Sequence, residues 1–133
     1  VLQNDKLILN NITMHVECDS ELSILGPKHA FANVLMILLD NSIYQIEKKK
    51  IVDARIDINV KKLDSSIYII FKDNAQGISV KPIEKVFDID YSTKGKDGCG
   101  LGLALAKKLI INALSGDISV RNNEFGAEFI IVF

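Results

Sequence analysis

Five consecutive apolar residues, Ile67-Tyr68-Ile69-Ile70-Phe71, carry the chain straight into a polar break at Asp73-Asn74-Ala75-Gln76-Gly77. No other stretch leaves fewer folds open. A short run that is apolar throughout reads as a central strand of a sheet. The run before it, Ala54–Val60, sets Ile56, Ile58 and Val60 against Asp57 and Asn59. That alternation is expected of a strand with one face in the core. The polar linker Lys61-Lys62-Leu63-Asp64-Ser65 between them suits a hairpin turn.

Helical spacing brackets this hairpin. Gly26-Pro27 announces a helix from Lys28 to about Lys48, in which Phe31, Val34, Leu35, Leu38, Leu39, Ser42 and Ile46 form an apolar face. Lys48-Lys49-Lys50 then fray its end into solvent. Leu101 to Leu114 reads as a second long helix, with Lys107-Lys108 on its wet side and Gly116 as a left-handed cap. A short helical stretch near Lys81–Phe87 makes three. Leu7–Val16 and Leu22–Leu25 read as two short strands, and Asp117–Arg121 and Ala127–Phe133 as the last two. The expected fold is α/β in the α+β sense. It is a two-layer sandwich, with a mixed, mostly antiparallel sheet of about five strands covered on one face by about three helices.

A chain of 133 residues, 48% hydrophobic and 25% charged, folds as one domain with a core of its own. Its net charge of −1, with scattered lysines, lacks the basic stripe that a phosphate backbone requires, so no nucleic-acid partner is expected. Two cysteines make no disulfide framework and point to a reducing compartment. There is no membrane-length apolar run and no signal peptide at Val1-Leu2-Gln3-Asn4-Asp5. The absent initiator Met suggests a piece of a longer protein.

Gly98, Gly100 and Gly102 fall at alternate positions and run into the second helix. Bare N–H groups at a helix N-terminus suit a phosphate. The spacing matches neither a dinucleotide fingerprint nor a Walker loop, and a turn capping a core helix fits it equally. Asp73, at a strand exit, can accept a hydrogen bond from a donor such as the exocyclic amine of adenine, and Gly77 allows backbone to approach a flat ring. A strand-end Asx turn explains Asp73 alone just as well. Asn41 shares the apolar side of its helix with Val34, Ile37 and Leu38. An unpaired buried amide costs about 1–3 kcal/mol, so Asn41 needs a loop, ligand or metal as partner.

Taken in order, these motifs resemble the catalytic ATP-binding domain of sensor histidine kinases, in the Bergerat-fold superfamily that also holds type II topoisomerase ATPase domains, mismatch-repair ATPases and a heat-shock chaperone. Leu38-Leu39-Asp40-Asn41-Ser42 is similar to the N box, and Asp73-Asn74-Ala75-Gln76-Gly77-Ile78 to the first glycine box. Val86-Phe87-Asp88-Ile89-Asp90-Tyr91-Ser92-Thr93-Lys94 resembles the F box, and Gly98-Cys99-Gly100-Leu101-Gly102-Leu103-Ala104 the second glycine box. Gly126-Ala127-Glu128-Phe129 resembles the closing strand.

The resemblance implies ATP and Mg²⁺ as cofactors. Asn41 would hold Mg²⁺, and Asp73 would read adenine beside Gly77. Phe87 would anchor a lid over about residues 78–97, with Thr93 and Lys94 near the phosphates. Gly98, Gly100 and Gly102 would wrap the phosphates, and Gln45, Ile78, Leu101 and Leu103 would complete the ATP site. Asn41 and Lys94 would be the catalytic pair. The chain would be a single catalytic domain over residues 1–133, monomeric when isolated and without its upstream dimerisation and histidine phosphotransfer domain. Neither His15 nor His29 resembles the phosphoacceptor segment. The parent would be a homodimeric kinase whose phosphohistidine passes its phosphate to a response regulator. This chain would be the cytoplasmic part of a membrane-bound sensor.

Several positions depart from the family pattern. Ile37, four residues before Asn41, cannot act as a base, which argues against an ATPase. Ala75 replaces a usual glycine, Tyr44 stands where a basic residue is common, and Asp90-Tyr91 where two aromatics are frequent. Cys99 replaces a small hydroxyl residue at a helix N-terminus, where a thiol pKa tends to fall. Two alternatives stand beside the histidine kinase: an anti-sigma-type serine kinase of the same superfamily, and a degenerate nucleotide-sensing domain without transfer.

Overall fold

The computed structural model describes residues 11–19, 22–89, 91 and 102–133. Five strands, β1 (Thr13–Cys18), β2 (Arg55–Leu63), β3 (Ser66–Asp73), β4 (Asp117–Asn122) and β5 (Ala127–Val132), form one sheet in the order β1-β2-β3-β5-β4. Only β1 and β2 run parallel; the other neighbours are antiparallel. A parallel pair cannot be joined by a tight turn. Helix α1 (Lys28–Lys48) makes that crossover, and helix α2 (Gly102–Asn112) packs beside it. A 3₁₀ helix, Ile83–Phe87, is the expected third helical stretch. The two-layer, mixed-sheet expectation therefore holds.

Helix α1 begins and ends at the residues expected from its periodicity. It buries Ala30, Val34, Leu38, Leu39, Ser42, Ile43 and Ile46, while Phe31 and Leu35 lie at the margin, half-buried. Opposite it, Ile56, Ile69, Phe71, Phe129 and Ile131 are nearly inaccessible and form the sheet's half of the core. Each such side chain stabilises the fold by about 1.5–3 kcal/mol. β3 is indeed the middle strand, but only its Ile69, Phe71 and Asp73 side is buried; Tyr68, Ile70 and Lys72 face the uncovered side, half-exposed.

That uncovered side carries a row of charge across the sheet. In register lie His15 with Asp57, Asp57 with Lys72, Lys72 with Glu128, and Glu128 with Arg121. Glu128 is buried, yet Arg121 Nε donates to it at 2.7 Å, Asn123 Nδ2 at 2.9 Å, and Lys72 Nζ lies 3.7 Å away. Burial pushes its carboxyl up. The bonds from Asn123 and Arg121, with the charges of Arg121 and Lys72, outweigh that and hold it below its ordinary value.

Four local expectations need correction. Leu22–Leu25 forms no strand, and Leu25 is 96% exposed; four apolar residues are too few to define a period. The β2–β3 connection is shorter than expected, a two-residue turn at Asp64-Ser65, because Lys62 and Leu63 continue the ladder opposite Ile67 and Ser66. The left-handed residue after α2 is Ser115 (φ 55), not Gly116. Gly116 is instead required by proximity, since a Cβ there would lie 2.6 Å from the Val132 carbonyl oxygen. Lys49 does not fray into solvent, as described below. Leu7–Asn10 of the first expected strand lies outside the described residues, as does most of the lid beyond Ile89.

Candidate functional site

A cleft of about 150 Å³ opens where the C-terminal half of α1 meets the exit of β3; a cavity of that volume can hold one aromatic ring. Asn41, Gln45, Lys48 and Lys49 line it from α1 and its C-terminal cap, and Asp73, Ala75, Gly77 and Ile78 from the β3 exit. Val86, Tyr91, Leu103 and Ala127 complete the wall. Burial pushes the Tyr91 hydroxyl above its ordinary pKa.

Asp73 is only 7% exposed, deeper than a strand exit suggested. Its Oδ1 accepts the N–H of Ala75 at 3.1 Å and that of Ala127 at 3.4 Å, and its Oδ2 accepts the Ser42 hydroxyl at 2.7 Å. The Ala75 bond is the Asx-type contact expected of a strand end. A carboxylate offers about four acceptor sites. Three are filled by described residues, which leave one site on Oδ2, and Asp73 is part of the cleft wall.

The turn after Asp73 is held on every side. Gln76 (φ 68) and Gly77 (φ 81) are consecutive left-handed residues. The Gln76 N–H donates to the Phe125 carbonyl at 3.1 Å. The Asn122 side chain pairs with both backbone groups of Ile78, accepting its N–H at 2.9 Å and donating to its C=O at 2.8 Å. A Cβ on Gly77 would come within 2.9 Å of Asn122 Oδ1. The glycine is thus required by its backbone angle and by Asn122, reasons beyond the ring approach expected from sequence. Lys49 Nζ donates to the carbonyls of Ala75 at 2.6 Å and Gly77 at 3.0 Å.

Asn41, Gln45, Asp73, Gly77, Ile78 and Leu103 therefore come together at one cleft. Gly102, exposed, opens α2 beside Ile37, whose Cγ2 would lie 3.6 Å from a Cβ there. Phe87 is not among the residues that line the cleft; it is buried, edge-on to Phe129 with ring centroids 6.2 Å apart, and Lys107 Nζ lies 5.1 Å from its ring centroid. Thr93, Lys94, Gly98, Cys99, Gly100 and Leu101 lie outside the described residues. Among those described, no group of three His, Cys, Asp or Glu side chains could hold a metal ion.

Sequence reasoning missed Ser42, Lys49, Asn122 and the close approach of Gly126 to Asp73. Ser42 carried a signal, a hydroxyl on an otherwise apolar face. Asn122 lies 44 residues from its partner and carried none.

Residues 26–133 match the family of histidine kinase-, DNA gyrase B- and HSP90-like ATPases, and the chain belongs to that family. It is 32% identical over 120 residues to the sensor protein CiaH of Streptococcus pneumoniae serotype 4 (strain ATCC BAA-334 / TIGR4), covering 86% of this chain and 26% of CiaH. It is 36% identical over 119 residues to the signal transduction histidine-protein kinase AtoS of Escherichia coli (strain K12), covering 87% of this chain and 19% of AtoS. The chain thus spans about a quarter or less of these curated relatives. In structure it is similar to the catalytic domain of the histidine kinase ThkA in a nucleotide-free form, with a TM-score of 0.84 and 26% identity over 99% of this chain and 84% of that domain. ThkA has also been solved with the response regulator protein TrrA, where the match has a TM-score of 0.79 and 25% identity over 99% of this chain and 36% of that one. No helix among the described residues is long and apolar enough to cross a membrane.

Proposed function

We propose that this chain is the catalytic domain of a two-component sensor histidine kinase. It binds Mg-ATP in the cleft and delivers the γ-phosphate to a histidine on a separate dimerisation domain. The observation that carries the reading is the buried Asp73 carboxylate in the cleft wall, with one acceptor site that no described residue fills, on the fold of a kinase catalytic domain. A buried acceptor pairs with the 6-amino group of adenine and meets only a carbonyl oxygen at the same position of guanine. A site built around such a bond discriminates strongly against a base that leaves it unpaired.

Phosphoryl transfer needs positioning and charge neutralisation more than covalent help. Asp73, Gly77 and Ile78 fix the base, and Gln45 and Leu103 border it. Asn41 stands on α1 facing the same cleft. One amide oxygen, with no acidic cluster among the described residues, fits Mg²⁺, which keeps waters and substrate phosphates as its other ligands. When bound, the ion would supply positive charge against the phosphates. The phosphate contacts assigned from sequence to Thr93, Lys94, Gly98, Gly100 and Gly102, the roles of Phe87 and Leu101 at the lid and site, and the lid's extent to about residue 97 belong to this proposal. Ile37, half-buried beside the start of α2, supplies no base for water. The acceptor is then another domain.

The parent would be a homodimer that passes its phosphate to a response regulator, as the ThkA–TrrA pair suggests, and the chain would be its cytoplasmic part. Incubation with radiolabelled ATP and a separate histidine-bearing dimerisation domain tests the reading. Acid-labile phosphate on the acceptor is expected. Acid-stable phosphate on a protein serine would establish the serine-kinase alternative, and binding without transfer a nucleotide sensor.

A further inference from the structure

Lys49 is the C-terminal cap residue of α1, and its own N–H donates to the Gln45 carbonyl at 3.0 Å. Its backbone is therefore fixed to the helix that presents Asn41, Ser42 and Gln45. Its ammonium reaches across to the carbonyls of Ala75 and Gly77, which flank the left-handed Gln76. These are charge-assisted bonds, stronger than neutral ones. The other tethers of the turn, Asn122 and the Phe125 carbonyl, come from β4 and its hairpin and are uncharged. Lys49 thus ties the end of α1 to the Ala75–Gly77 turn.

We infer that Lys49 is a positioning residue for base recognition: while the Ser42 hydroxyl of α1 holds Asp73 itself, the Lys49 ammonium sets the register between α1 and the Ala75–Gly77 turn that follows, and so helps to aim the open acceptor of Asp73. The inference rests on the cleft being an adenine site. Both carbonyls lie within four residues of Asp73, whose Oδ1 accepts the Ala75 N–H, so a turn that drifts carries the carboxylate with it. Two of the three ammonium protons are committed to the turn, and Lys49 also borders the cleft. Loss of the cation leaves two convergent carbonyls without their donor and two successive left-handed residues with one tether fewer.

The test compares ATP with inosine triphosphate, which carries a carbonyl oxygen in place of the 6-amino group, as ligands for the 133-residue chain by titration calorimetry. Lys49→Met is expected to reduce the preference for ATP by about tenfold or more, the effect of one charged hydrogen bond made badly. Affinity for inosine triphosphate should hardly change. Lys49→Arg should restore most of the preference, and propylamine added to Lys49→Ala should restore part of it. A merely structural lysine would weaken both nucleotides in proportion, and that result would overturn the inference. So would a Lys49→Met chain with the wild-type preference. A wild-type chain that binds the two nucleotides alike would overturn the adenine reading itself, and the role of Lys49 with it.

Discussion

Gly126→Ala tests how closely the adenine wall is backed. The β4–β5 hairpin turns tightly: the Asn123 N–H donates to the Gly126 carbonyl at 2.9 Å, and Asn123 Oδ1 accepts the N–H groups of Phe125 and Gly126. A Cβ on Gly126 would lie 2.1 Å from the carbonyl oxygen of Asp73 and 2.8 Å from its Oδ1. Real Cβ atoms do not approach closer than 3.0 Å, so the backbone of Asp73 and the hairpin must separate by about 0.9 Å. Overpacking of this kind costs about 1–3 kcal/mol of stability. A loss of comparable size should appear in binding, because a misplacement near 1 Å can cost about 10²-fold, about 2.7 kcal/mol, at a site of fixed geometry. Urea denaturation would measure the first effect and titration with ATP the second. ATP affinity within a factor of three of wild type, with the fold intact, would refute the claim that the position of Asp73 sets recognition.

Other expectations concern single bonds. Ser42→Ala removes the donor at 2.7 Å from Asp73 Oδ2 and should cost about 1.5–3 kcal/mol in urea denaturation, the range for bonds to charged groups; a loss below 0.5 kcal/mol would show that water takes its place. Asn41→Asp should change Mg²⁺-dependent ATP binding far more than binding in EDTA, and equal changes would remove Asn41 as a metal ligand. Glu128 has a folded pKa depressed below its ordinary 4.5. Its contribution to stability is therefore present above about 4.5 and is lost as pH falls through the lower folded value. In Glu128→Gln that part of the acid limb should flatten in pH-dependent denaturation, and an unchanged limb would contradict the assignment.

The layout of helices and strands was legible because periodicity is local. The spacing of Val34, Leu38, Ser42 and Ile46 already defines α1, and the alternation of Ile56, Ile58 and Val60 defines a one-sided strand. The cleft was legible where one motif supplies both residue and role, as with Asp73 and Gly77. It was not legible where chemistry depends on distant pairing. Lys48-Lys49-Lys50 reads as three solvated charges, yet the helix phase turns Lys49 inward while its neighbours remain exposed. Nothing local marks Gly126 as a contact of Asp73 or Asn122 as the partner of Ile78. Those contacts exist only once β5 has paired with β3 and β4 with β5.

The charged row across the uncovered sheet bears on how the chain reaches its fold. Strand pairing repeats every two residues, so a slip of one residue turns every side chain to the opposite face. In β3 and β5 such a slip would drive Lys72 and Glu128 against the helices and bring Phe71 and Phe129 into water. Asp57, Lys72, Glu128 and Arg121 therefore help to specify the register of the sheet. A hairpin paired one residue out of step would bury a charge on the core face, so the native register is favoured over its neighbours.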